Sequence, residues 1–179
     1  MTVYELVRDI VLRYMRMGPY WQLFTLLSTM IFTVLIVLMA KRRKRSPVKC
    51  IFTILLFFYL INIYILAVVA RRYLPVAETN FDLFWSWKKA YFGNKYFLSL
   101  VIENMLMLVP VGILMPLIVR KNNRVLITIF CGFLISLAIE SSQYIRKTGL
   151  FEIDDLIDNT IGVIIGCFLT VKILNSIHK

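Results

Sequence analysis

Five apolar stretches constrain this chain more than any other feature, because each is long enough to cross a lipid bilayer as a helix. A crossing helix needs about 20 apolar residues. The stretches are residues 21–40, 50–70, 97–119, 125–144 and 156–174. Backbone groups inside hydrocarbon find no water to bond, so such spans must be helical. The sequence therefore predicts an all-α membrane protein with about five transmembrane helices.

Composition agrees with this assignment and indicates the first partner. Apolar residues make up 60% of the 179 residues, and charged residues make up 17%. Soluble domains carry more charge and less apolar surface, so we expect the lipid bilayer to be the main partner. The net charge of +11 does not indicate nucleic acid. The basic residues form short clusters between apolar stretches, which is typical of cytoplasmic loops, and we expect no nucleic-acid partner.

The chain divides into four predicted segments. Residues 1–20 have helical amphipathic spacing and predict an interfacial helix on the membrane surface. Residues 21–97 hold two spans and an aromatic outer loop, in which Phe81, Phe84, Trp85 and Lys88 predict a short interfacial helix. An aromatic belt is its favoured role, and a ligand contact is the alternative. Residues 98–174 form a three-helix core, and residues 175–179 form a tail.

The orientation follows from where the basic residues lie. The loop after the first span carries six Lys and Arg residues between positions 41 and 49, with no acidic residue. Such a cluster beside a first helix remains on the cytoplasmic side. The sequence therefore predicts a multi-pass protein of the cell membrane, with its N-terminus outside and its C-terminal tail in the cytoplasm.

Polar residues enter the last three spans at one membrane face. Ionisable residues in spans are costly and usually face a protein interior or a cavity. Because consecutive helices reverse direction, the start of the third span, the end of the fourth and the start of the fifth meet at the same face. With the orientation above, this face is the outer one. The predicted pocket residues are Glu140, Gln143, Asp155, Asn159, Asn104, Glu103, Arg146 and Asp158.

The chemistry of these residues leaves more than one function open. Carboxylates at one depth are compatible with Mg²⁺ or Ca²⁺, or with acid–base work. The sequence identifies no definite cofactor, no Ser–His or Cys–His pairing and no phosphate-binding loop. Whether the chain is an enzyme stays open. One alternative is an integral-membrane enzyme that acts on a lipid-linked envelope precursor with a divalent cation.

An ordered set of motifs resembles the VanZ-like family. The set is Asn104-x5-Pro110-x-Gly112, then Glu140-x2-Gln143, then Asp154-Asp155-Leu156-x2-Asn159-Thr160-x-Gly162-x3-Gly166. It covers roughly residues 98–170. The family is named for a bacterial protein associated with resistance to the glycopeptide antibiotic teicoplanin. The resemblance implies a bacterial cell-membrane protein of the envelope that lowers sensitivity to teicoplanin or related lipoglycopeptides.

The chain departs from the family pattern at one loop. An Arg often follows the glycine between the fourth and fifth spans in the family, whereas Leu150 follows Gly149 here. Either Arg146 replaces that charge, or the site of this chain differs from that of the family. The resemblance transfers no catalytic residue. It implies a lipoglycopeptide or a lipid-linked envelope precursor as the molecule that meets the polar pocket.

Overall fold

Six α-helices account for most of the structure, a computed structural model that describes residue 8 and residues 19–43, 46–119 and 121–177. They are α1 (Pro19–Arg43), α2 (Pro47–Tyr64), α3 (Trp85–Tyr91), α4 (Lys95–Ile118), α5 (Arg124–Arg146) and α6 (Ile153–Ile177). A π-helical turn at Ile65–Val69 prolongs α2, and a 3-10 turn at Lys121–Asn123 precedes α5. Two short strands, β1 (Thr79–Asn80) and β2 (Phe151–Glu152), pair in parallel.

Five helices in the described part of the chain are long and apolar enough to cross a membrane, namely all but α3. This confirms the predicted all-α membrane fold, so the chain is a multi-pass membrane protein. The predicted N-terminal interfacial helix over residues 1–20 lies outside the described residues, apart from Arg8 and the first residues of α1. The long loop contains a short helix, α3, that begins at Trp85, so Phe81 and Phe84 of the predicted spacing precede the helix.

Local sequence explains several helix ends. Pro47 stands at the first turn of α2, where a missing N–H costs nothing. The Asn94 side chain caps α4 by accepting a hydrogen bond from the backbone N–H of Tyr96 at 3.1 Å. Lys147 ends α5 in the left-handed conformation, with φ of 53°.

Helices α4 and α6 pack side by side through glycine, with their starts at the same face. A Cβ on Gly162 would overlap the carbonyl group of Met105, and a Cβ on Gly166 would overlap the carbonyl oxygen of Val109. Small residues let two helices approach closely in lipid, where packing rather than the hydrophobic effect drives association. The approach places the first turn of α6 against the polar part of α4.

A small apolar core lies directly below the polar face. It joins Leu56 of α2, Leu108 and Val111 of α4, Ile139 of α5 and Val163 of α6. Three of these helices, α4, α5 and α6, also carry the predicted pocket residues. Helix α1 packs against α2 and leaves most of its surface exposed, as expected for a helix that faces lipid.

Candidate functional site

Polar side chains from α4, α5 and α6 form a buried ladder at one end of the helix bundle. The side-chain amide of Asn104 donates a 2.6 Å hydrogen bond to Oδ1 of Asp155. One turn deeper in α6, Nδ2 of Asn159 donates to Oγ of Ser136 in α5 at 3.0 Å. All four side chains are buried. The structure therefore brings the predicted residues Asn104, Asp155 and Asn159 together at one end of the bundle.

Glu140 lies in this ladder, one turn from Ser136 on α5. Only 1% of its surface is exposed. It accepts a hydrogen bond from the backbone N–H of Glu152, and its charge interacts with that of Asp155 across the helix pair. Its Oε2 atom has no hydrogen-bond partner among the described residues. An unpaired buried oxygen is costly, and Glu140 shares this feature with Asn159, whose Oδ1 atom also has no partner among the described residues.

Arg71 is the basic residue at this site, and the sequence analysis did not include it there. Its Nη1 atom donates to Oε1 of Gln143 at 3.4 Å. It also lies 3.2 Å from where a Cβ on Gly149 would stand, so a larger residue there would displace it. The charge of Arg71 acts favourably on Glu140, Glu152 and Asp155. A topological signal existed, because Arg71 follows the end of the second span at this same face.

Arg146 does not take the place that the sequence analysis gave it. Its Nη2 atom donates to the hydroxyl of Tyr73 at 3.4 Å, at an exposed position. This contact directs the Arg146 guanidinium toward Tyr73 and not toward the buried ladder. Arg71, beside Gly149, supplies the positive charge instead. Gln143 also anchors this region, because its Nε2 atom donates to the carbonyl of Ala67 at 3.2 Å.

A segment that we name the strap, residues 78–92 with β1 and α3, is fastened to the start of α6. Asp154 accepts hydrogen bonds from the backbone N–H groups of Phe84 and Ser86, at 2.6 and 2.9 Å, and from the Ser86 hydroxyl at 2.6 Å. Asp158 accepts from the indole of Trp87 at 2.8 Å. Asp158 therefore holds the strap, whereas the sequence analysis had assigned it to the pocket alone. Asp154 was not predicted as a site residue.

The strand pair closes the same end of the bundle. Glu152 in β2 is buried and lies opposite Asn80 of the strap, whose side chain hydrogen-bonds to it. Burial raises the pKa of Glu152 above its ordinary value, and the Asn80 contact opposes that shift. Of the predicted residues, Glu103 is half-buried on α4 and has an interaction partner of its own.

Two cavities lie away from the ladder. One, of about 470 Å³, is lined by the last turns of α6, and the other, of about 380 Å³, lies between α1, α2 and the end of α4. Neither is lined by a predicted site residue. Among the described residues, no three His, Cys, Asp or Glu side chains are grouped to hold a metal ion. The ladder is a buried polar network of carboxyl, amide and hydroxyl groups beside Arg71.

These features define a class: a multi-pass helical membrane protein with a buried acidic and amide network at one membrane face. The family model described as VanZ/LLP1 matches residues 50–175. The chain therefore belongs to the VanZ-like family, and it is a VanZ-like protein of the cell envelope. The match begins in α2, so it reaches further toward the N-terminus than the motifs alone indicated. No curated protein and no solved structure matches the chain.

Proposed function

We propose that this protein lowers the sensitivity of a bacterium to teicoplanin or a related lipoglycopeptide, and that its buried polar network is required. The family membership supplies the biological setting. The observation that carries the proposal is Glu140, which is almost fully buried and has a carboxyl oxygen without a hydrogen-bond partner among the residues that the structure describes. A purely structural network would be expected to satisfy its buried acceptors.

The proposal places this network at the outer membrane face. The support is the basic stretch of residues 41–49, which contains no acidic residue. The end of α1 and the start of α2, which belong to this stretch, lie at the opposite end of the bundle from the network. Positive loops remain in the cytoplasm. An outward network would meet a lipoglycopeptide, or the lipid-linked precursor that such an antibiotic binds, at headgroup depth.

Susceptibility in cells tests the function directly. Deleting the gene from a bacterium that carries it should lower the teicoplanin concentration that inhibits growth, and overexpression should raise it. Vancomycin, a glycopeptide, serves as the comparison and should show the smaller change. Unchanged teicoplanin inhibition in both strains contradicts the proposal. Conversion of a lipid-linked precursor by the purified protein, only with Mg²⁺ or Ca²⁺, would favour the enzyme alternative.

Cysteine labelling in intact cells tests the orientation. After replacing the native cysteines with serine, single cysteines are placed at Ser46 and at Asn80, which lie at opposite ends of the bundle. A membrane-impermeant maleimide should label position 80 and not position 46. Permeabilised cells provide the control, because both positions should react there. Labelling at 46 alone in intact cells would invert the orientation.

A further inference from the structure

One of the two cavities lies at the end of the bundle opposite to the polar ladder. Its volume is about 380 Å³, and it lies between the end of α1, the start of α2 and the end of α4. Met39 and Lys49 both line it and are both exposed, so the cavity is accessible from outside the protein. Ligand cavities in proteins measure about 300–1,000 Å³, so this one has room for a small group.

Part of the cavity wall is apolar. Ile36 and Met39 of α1 line it together with Ile118, the last residue of α4. One turn further from this end of the bundle, the rings of Phe32 and Phe57 stack with their centres 3.7 Å apart. Helices α1 and α2 therefore touch just beyond the cavity. An occupant of the cavity meets hydrocarbon side chains on this wall.

The rest of the lining is polar and basic. Lys49 stands in the first turn of α2, and Ser46 precedes that helix without capping it through its side chain. Lys41 and Arg42 lie at the end of α1, and both are exposed. The cavity thus joins an apolar wall to a positively charged edge.

The charge at this edge has no acidic counterpart in the described part of the chain. The described acidic residues stand in the strap, in the parts of α4 and α5 that approach the ladder, and at positions 152–158. All of these positions belong to the other end of the bundle, so the fold offers Lys49 no carboxylate among the described residues. Basic side chains in such a place attract anionic lipid headgroups.

We propose that this cavity binds an anionic phospholipid of the adjacent leaflet, with its phosphate at Lys49 and its acyl chains against Ile36 and Ile118. The inference goes beyond the proposed function, because the cavity lies at the other membrane face and shares no residue with the ladder. A free anion would leave the apolar wall uncovered, and a lipid without net charge would leave the positive charge of Lys49 uncompensated. The two parts of the lining together therefore select an anionic lipid.

The test uses the purified full chain in nanodiscs that contain equal fractions of phosphatidylglycerol and phosphatidylcholine, whose headgroups differ in net charge. Native mass spectrometry counts the molecules of each lipid that stay bound. Wild type should retain phosphatidylglycerol about fivefold more, which is the contribution of one basic side chain at an anionic lipid. K49Q should remove this preference, and K49R should keep it. K172Q removes an equal charge from α6 at the same end of the bundle and should leave the preference unchanged.

A cavity-filling variant separates the cavity from surface charge. Ile36→Trp enlarges a lining side chain and keeps every charge, so it should lower the retained phosphatidylglycerol about as much as K49Q does. Val37→Trp, at an exposed neighbouring position of α1 outside the lining, is the matched control and should retain the lipid. If Ile36→Trp cannot be purified, Met39→Trp provides the same comparison.

Three results would overturn the proposal. The first is equal retention of the two lipids by wild type, and the second is an equal loss of preference in K49Q and K172Q, which would indicate surface charge alone. The third is Lys49-dependent binding of inorganic phosphate, in nanodiscs of phosphatidylcholine, that Ile36→Trp leaves unchanged. That result would assign the cavity to a free anion instead of a lipid.

Discussion

Asn104 and Asp155 join α4 to α6 through a hydrogen bond of 2.6 Å that is buried inside the protein. Replacing Asn104 with alanine removes the donor and leaves the Asp155 carboxylate without it. We expect the free energy of unfolding in detergent micelles to fall by about 1–3 kcal/mol. Ser176→Ala is the control, because that hydroxyl is exposed and bonds only within its own helix. Equal stability of the two variants would contradict the structural role of the pair.

The close approach of α4 and α6 predicts that Gly162 tolerates no side chain. A Cβ there would overlap the Met105 carbonyl, which is backbone and can yield only if the helices separate. Gly162→Ala should lower the free energy of unfolding by about 1–3 kcal/mol, as overpacking does elsewhere. Ala138→Val adds methyl groups at an exposed position of α5 and should have little effect. An unfolding curve of G162A that overlays wild type would show that the helices are not in backbone contact.

The Asp154 carboxylate should control whether the strap stays closed. Asp154→Ala removes the acceptor for three hydrogen bonds from Phe84 and Ser86. The loss of at least one hydrogen bond to a charged group should make local opening of the strap easier. We expect proteolytic cleavage within the strap to become about tenfold faster. Trypsin cleavage after Lys88 or Lys89, read by mass spectrometry, measures this. Asp82→Ala is the matched control, and equal cleavage in both variants would argue against the fastening.

Burial of Glu152 predicts a pH dependence of stability. Its pKa is raised in the folded protein, so folding favours its neutral form. The contribution of neutral Glu152 to stability is fully present below the pKa that Glu152 has in the unfolded chain. It is lost as the pH rises through the higher pKa that Glu152 has in the folded protein. Wild type should therefore lose stability relative to Glu152→Gln as the pH rises across that interval. Thermal unfolding of both proteins across the acidic range checks the sign. A difference that is independent of pH, or that grows toward low pH, would contradict it.

The spanning helices could be predicted from the sequence, because their apolar residues form long, regular stretches. The length of the apolar stretches predicted the five spans. Because consecutive helices reverse direction, the polar residues of α4, α5 and α6 were expected at one end of the bundle. The helices could be predicted because backbone groups in the hydrocarbon must form hydrogen bonds within their own segment. Consecutive spans must also alternate in direction.

The loops could not be predicted in the same way. Helical spacing in the long loop indicated a short helix, but spacing along one segment does not identify its partners. Nothing in the sequence therefore indicated that Phe84 and Ser86 would bond to Asp154 or that Trp87 would bond to Asp158. The role of Arg71 was missed for the same reason. Its contact with Gln143 depends on the π-helical turn at the end of α2, which sets where the chain leaves the helix.

Teicoplanin susceptibility of a deletion strain that expresses Glu140→Gln tests the account most directly. The amide keeps the shape and most of the hydrogen bonding of Glu140, so the protein should fold and reach the membrane in normal amount. We predict that E140Q fails to restore protection, while Asp82→Asn, which removes an exposed acid from the strap at the same face, restores it fully. Protection by E140Q equal to that of wild type, at equal membrane abundance, would show that the buried network is structural and that the functional assignment is wrong.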